Sequence, residues 1–248
     1  MIPWFQWTAI HLGPLTIQTW GLLVALGFLL GAIASANLAK RRGLEEKRLY
    51  DLAGWIVLSS LVFARLGHVI FYEPSYFIAH PAEIIAFWQG GMSMFGGFFG
   101  AILAAVIYLK KKKLNLHAYA DAAIFGLPLG IFIGRIGCFL IHDHPGTATH
   151  FFLGVKHPHG VTRHDLGLYE SLSGLVLFVI FLFLAKREVK EGTYLIAFCV
   201  WYGITRFLMD FLRIVDVRYV GLTPGQYGSL LLIAIGMWFI HLYSKTRM

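Results

Sequence analysis

The chain has 248 residues, 58% of them hydrophobic and only 14% charged, with a formal net charge of +8. Together with a mean hydropathy of +0.68, this excludes a soluble domain of such length and indicates a polytopic membrane protein. The positive charge falls in short runs between apolar stretches, so it reads as a topology signal and not as a nucleic-acid surface.

Seven windows of the ~20 residues that cross a bilayer can be drawn, at Thr16–Ala39, Leu52–Tyr72, Met92–Leu109, Tyr119–Ile141, Leu168–Ala185, Thr193–Leu212 and Gln226–Tyr243. The predicted fold class is all-α integral membrane, a single membrane domain over residues 1–248 with seven transmembrane helices. Ahead of the first window, Met1–Leu12 reads as an interfacial piece, with Trp4 and Trp7 suited to the headgroup layer. The first fifteen residues carry no Lys or Arg, so no cleavable signal peptide is expected. Lys40, Arg41, Arg42, Lys47 and Arg48 follow span one, Lys110–Lys113 follow span three, Lys186, Arg187 and Lys190 follow span five, and Lys245 and Arg247 follow span seven. That side holds fourteen basic residues against four (Lys156, Arg163, Arg213 and Arg218) on the other. The N-terminus is therefore expected outside and the C-terminus in the cytoplasm.

Two outward loops stand out. Glu73–Gly91 has no Lys or Arg and contains an apolar patch around Ile84–Trp88, which suggests a half-buried interfacial helix. Residues 142–167 carry six of the eleven histidines and predict a small outward-facing head. Cys138 and Cys199 differ in depth by more than ~10 Å at 1.5 Å per residue, so no disulfide is expected.

The anomalies are Arg65, Arg135 and Arg206, each inside an apolar span. A guanidinium stays protonated, and an arginine at the centre of a spanning helix costs roughly 2.5–3.5 kcal/mol. All three lie ~9–10 Å beneath the outer surface, although their spans run in different directions. A shared layer of planar donors suits an anion such as a lipid phosphate. Glycines crowd the same layer, in Gly90-Gly91 and Gly96-Gly97 and around Arg135 in Gly134 and Gly137. They serve either close helix packing or backbone approach to a phosphate. Arg206 has Asp210 one turn on, which can neutralise it. Arg65 can pair with Glu170 or Asp210. Glu170 and Tyr169 can orient an arginine. Anion passage would require polar residues through the inner halves of the spans, and those halves are mostly Leu, Ile, Val, Phe and Ala.

The run Gly134-Arg135-Ile136-Gly137-Cys138-Phe139-Leu140-Ile141-His142-Asp143-His144-Pro145-Gly146 resembles the signature of the prolipoprotein diacylglyceryl transferase family, Gly-Arg-x-Gly-Asn-Phe-x-Asn-x-Glu-x-x-Gly. Ala64-Arg65-Leu66-Gly67, Trp88-Gln89-Gly90-Gly91-Met92-Ser93, Leu168-Tyr169-Glu170 and Tyr202-Gly203-Ile204-Thr205-Arg206-Phe207 with Asp210 and Arg213 are also similar to the family. The chain departs from it at Phe95, where the family usually has histidine, at Cys138 and Ile141 for asparagines, at Asp143 for glutamate, and at Trp20 for tyrosine.

The resemblance implies transfer of the diacylglyceryl group of phosphatidylglycerol to the lipobox cysteine of preprolipoprotein signal peptides, releasing glycerol phosphate at the bacterial cytoplasmic (inner) membrane. A relative that binds anionic lipid without transfer is the alternative. Arg135 is then the phosphate clamp and Arg206 its catalytic partner, oriented by Asp210, with Arg65 in support. Asp143 holds the headgroup or orients Arg135, and Gly96, Gly97 and Gly146 go with the substrate-binding set. Phe95 leaves the base unassigned, with His142 and His144 bordering the site. Membrane lipids are the other expected partners. No nucleic acid, cofactor or metal is expected, because no cysteine or regular ligand motif accompanies the pairs His142/His144 and His157/His159.

Overall fold

The computed structural model describes residues 1–158 and 160–245; His159 of the second histidine pair and Arg247 of the basic tail lie outside the described residues. Seven helical segments are long and apolar enough to cross a membrane, and the chain is a multi-pass membrane protein. In order, β1 (Ala9–Leu12) and β2 (Leu15–Gln18) form a hairpin, followed by α1 (Thr19–Arg41), α2 (Glu46–Phe71), the short α3 (Pro74–Ala79), α4 (Met94–Lys111), α5 (Leu116–Phe125) and α6 (Leu127–Ile141). The head strands β3 (Pro145–Ala148), β4 (Val155–Lys156) and β5 (Thr162–Asp165) precede α7 (Leu166–Leu184), α8 (Thr193–Met209) and α9 (Pro224–Lys245).

Several boundaries differ from the hydropathy windows for local reasons. Thr16–Gln18 belongs to the hairpin and not to span one. Span two starts earlier, at Glu46, because Lys47 and Arg48 are good helix formers that an apolar window cannot register. The fourth span is two helices. Pro128 has no N–H to give the ladder, and the chain breaks at Gly126. The Glu73–Gly91 loop is not one interfacial helix. It holds α3 and two 3-10 turns, Pro81–Ile85 and Phe87–Gln89, with Phe77 and Ala86 buried and Ile85, Phe87 and Trp88 exposed.

The N-terminal piece is likewise no free interfacial segment. Ile2 bridges Val155 of the head, and Trp4 stacks on His142 with ring centroids 4.6 Å apart. Trp7 does stay exposed. The head is a three-stranded antiparallel sheet ordered β3-β5-β4.

Helix pairing rests on small residues. Lipid is as apolar as leucine, so association in a bilayer depends on close packing. A Cβ at Gly27 of α1 would stand 2.7 Å from the Gly130 carbonyl oxygen of α6, and one at Gly31 2.9 Å from that of Gly126. The two backbones can approach only with glycine there. At the far end from the head, Asp121 of α5 is fully buried, pairs with Arg42 at 2.9 Å and accepts the Leu195 N–H of α8 at 3.0 Å. That buried charge is tolerated because it is paired and hydrogen-bonded.

Candidate active site

Arg135 projects from the last turns of α6, where Gly134 and Gly137 keep the facing surface of α1 close. Its guanidinium lies 2.8 Å from Glu170 Oε2 on α7 and donates to Cys138 Sγ at 3.6 Å. Glu170 is only 3% exposed, and its other oxygen accepts from Arg206 of α8. One carboxylate therefore holds guanidiniums from two different helices. Arg206 also pairs with Asp210 at 3.1 Å. Asp210, fully buried, accepts from Thr223 Oγ1 at 2.5 Å and lies 3.3 Å from Arg213 Nε. Arg213 reaches Asp216 at 2.7 Å. Three arginines thus face three carboxylates, and the cluster is charge-balanced. Its members differ in access, because the Arg135 side chain keeps 24% exposure against 10% for Arg206.

Arg135 stands at one end of a cavity of about 460 Å³ running between α1, α2, α5 and α6. This is within the usual size of small-molecule sites, about 300–1,000 Å³. Its polar end is Arg135, Cys138, Asp143 and His144; apart from Ser35 the remainder is apolar, with Val24, Phe28, Leu52 and Ile56 over a glycine floor from α1 and α6. An anionic head with hydrocarbon attached would match both ends.

Not all residues singled out in the sequence meet here. Arg206 and Asp210 stand behind Glu170, one layer from the cavity. Arg65 is not paired with Glu170 or Asp210. It donates to the carbonyl oxygens of Ile84 (2.9 Å), Gly90 (2.6 Å), Gly91 (3.1 Å) and Glu83 (2.7 Å), under the Phe77 ring. Gly96 and Gly97 press α4 onto α2, against Phe63 and Ala64. Gly146 bridges Arg213 in the head. Phe95 is half exposed and does not line the cavity.

Of the two histidines, His144 lines the cavity and His142 does not. The His142 ring is enclosed by Trp4, Phe5 and Phe139 and bonded to Asp165 at 2.6 Å. Asp165 also caps α7 through the Leu168 N–H, so His142 joins the end of α6 to the start of α7. Two features escaped the sequence reading. Glu170 is a shared anchor, not a partner of one arginine. Cys138 does accompany a histidine, since Cys138, Asp143 and His144 bring their ligand atoms within 4.8 Å of one another.

A model of the prolipoprotein diacylglyceryl transferase family matches residues 7–242. The chain belongs to the prolipoprotein diacylglyceryl transferase family. Relatives named phosphatidylglycerol–prolipoprotein diacylglyceryl transferase agree along nearly the whole length. The protein of Geobacter sulfurreducens is 34% identical over 237 residues, covering 94% of this chain and 91% of its own. That of Solidesulfovibrio magneticus is 34% identical over 250 residues, with 96% and 94% covered. That of Nitrosomonas europaea is 35% identical over 250 residues, with 96% and 90% covered. In this diacylglyceryl transferase family member the matched stretch contains the cavity and all three arginines of the apolar spans.

Proposed function

We propose that the chain transfers the diacylglyceryl group of phosphatidylglycerol to the lipobox cysteine thiol of preprolipoproteins, releasing glycerol phosphate. The observation that carries this reading is Arg135 at the head of an apolar cavity, with part of its donor fork still accessible. A guanidinium has five N–H donors, and its contacts to Glu170 and Cys138 leave room for a phosphate oxygen. Acyl chains would run along the cavity between α1 and α2, and continue into the bilayer.

The reaction is a displacement at the glyceryl carbon bonded to the phosphate oxygen. Sulfur forms the new bond to that carbon, the C–O bond breaks, and its electron pair leaves on the phosphate. Charge gathers on that leaving group, where Arg135 stands preorganised. Glu170 fixes the Arg135 plane, Arg206 fixes Glu170, and Asp210 with Thr223 fixes Arg206. Arg135 is thus the catalytic group, while Arg206 and Asp210 act through it as positioning residues. Asp143 and His144 stand where the incoming thiol must lose its proton, since the thiolate is the nucleophile.

The asymmetry of basic residues supports an outward N-terminus, and with it an outer-leaflet position for this end of the cavity in the cytoplasmic membrane. Secreted preprotein signal peptides arrive on that side. The test is lipidation of a lipobox peptide by purified protein given phosphatidylglycerol. Arg135→Ala should lower the rate by about 10²–10³-fold with the folded protein retained. Unchanged lipidation by that variant would sink the clamp.

A further inference from the structure

We propose that Cys138, Asp143 and His144 form a zinc-class cation site at the cavity mouth, whose open position takes the thiolate of the incoming cysteine. The proposal rests on the transferase reading and supplies what that reading leaves open, the means by which the thiol is deprotonated.

The donor set has the right chemistry. Thiolate, imidazole and carboxylate are the three ligand types that zinc accepts, and three protein ligands with a vacant fourth position is the arrangement of catalytic zinc. The spacing is close to what is needed. Zinc bonds of ~2.0–2.3 Å put tetrahedral donors about 3.3–3.8 Å apart, and these three atoms already lie within 4.8 Å of one another. Cys138 is buried on the rigid α6. Asp143 and His144 follow the αL turn at His142, which ends that helix, and their side chains are 34% and 29% exposed, so they can close the remaining gap.

The surroundings suit the charge. One thiolate and one carboxylate neutralise a divalent cation, and Arg135 Nη1, 3.6 Å from Cys138 Sγ, becomes an outer donor to the coordinated sulfur. His144 Nδ1 meets the Asp143 carbonyl oxygen at 2.9 Å, a contact of the kind that orients ligating imidazoles. All three residues line the cavity that also holds Arg135.

The step balances without an oxidant or reductant. The incoming thiol binds the cation and gives its proton to water. Its sulfur then bonds to the glyceryl carbon while the C–O bond breaks and the electron pair departs with glycerol phosphate. Coordination deprotonates a thiol outright at neutral pH, whereas a free thiol near pKa 8.5 is mostly protonated. Sulfur and phosphate are thereby held at one mouth, by cation and guanidinium respectively.

The experiment titrates the purified full chain in nanodiscs with Co²⁺ alone, then with a lipobox peptide. Expected are a thiolate-to-cobalt absorption band and intense tetrahedral d–d bands, the first lost in Cys138→Ser and the second weakened in His144→Ala. Peptide should strengthen the thiolate band by adding a second sulfur, and Zn²⁺ should displace the cobalt. Chelation should lower lipidation on the order of 10²-fold, with Zn²⁺ restoring it. No thiolate band in the parent chain, a band that survives Cys138→Ser, or full lipidation in chelator overturns the site. If the chain lipidates while showing no Cys138-dependent band, the site fails and the transferase reading stands. If it binds cobalt through Cys138 but lipidates nothing with any metal, the transferase reading fails and cation binding stands.

Discussion

Arg135 and Arg65 are both arginines inside apolar spans, and the fold satisfies them in opposite ways. Arg135 meets a carboxylate shared with Arg206 and keeps an accessible edge at a cavity. Among the described residues Arg65 meets no carboxylate and gives its hydrogens to four backbone carbonyls of the segment after α3. The first arrangement leaves a cation aimed and available. The second leaves a cation consumed, acting as a staple that holds Glu83–Gly91 onto α2. A buried charge therefore indicates function only once its partners are known, since the cost of burial is met in both cases.

The strongest way to break this contrast is Glu170→Ala. Removing the shared carboxylate leaves two guanidiniums buried without it, which should cost about 3–5 kcal/mol in the unfolding of detergent-solubilised protein and largely abolish lipidation. A loss below about 1 kcal/mol would mean that Glu170 anchors neither arginine. Arg65→Ala should cost less, about 1–3 kcal/mol for carbonyls left without donors. Its effect should be local, read as faster hydrogen exchange over residues 83–91, with lipidation reduced less than about tenfold. A rate collapse matching that of Arg135→Ala would erase the distinction between the two centres.

The smallest effect belongs to the head. Burial pushes the His164 imidazole, 2.7 Å from the Tyr169 hydroxyl, below its usual range. The unfolded state takes up that proton near pH ~6.5 and the folded head only at lower pH, so stability rises with pH between the two values. The contribution is complete above pH ~6.5 and is lost as pH falls through the lowered pKa. Amide exchange of β5 followed from pH 7.5 to 5 should show protection falling as the pH is lowered. His164→Asn should flatten that dependence.

How far each element could be foreseen follows the physics behind it. Seven spans were legible because crossing a bilayer demands long apolar runs, and charged helical turns such as Lys47-Arg48 escaped because a hydropathy window is blind to them. The break at Gly126 had a visible cause in Pro128. The strand role of Ile2 and the stacking of Trp4 on His142 had none, since both depend on a head more than a hundred residues away. Cys138, Asp143 and His144 lie within seven positions of chain, yet their convergence needed the αL turn at His142.

The amino-acid order alone established the membrane class and the number of crossings, and rise per residue converts the position of each odd cation along its helix into an expected height. Rotation about each helix axis and the choice of neighbours are not encoded in height. Those were decided by glycine-mediated contact between α1 and α6 and by the docking of α7 against α8. That packing turned Arg135 and Arg206 toward one carboxylate and sent Arg65 to a bed of carbonyls.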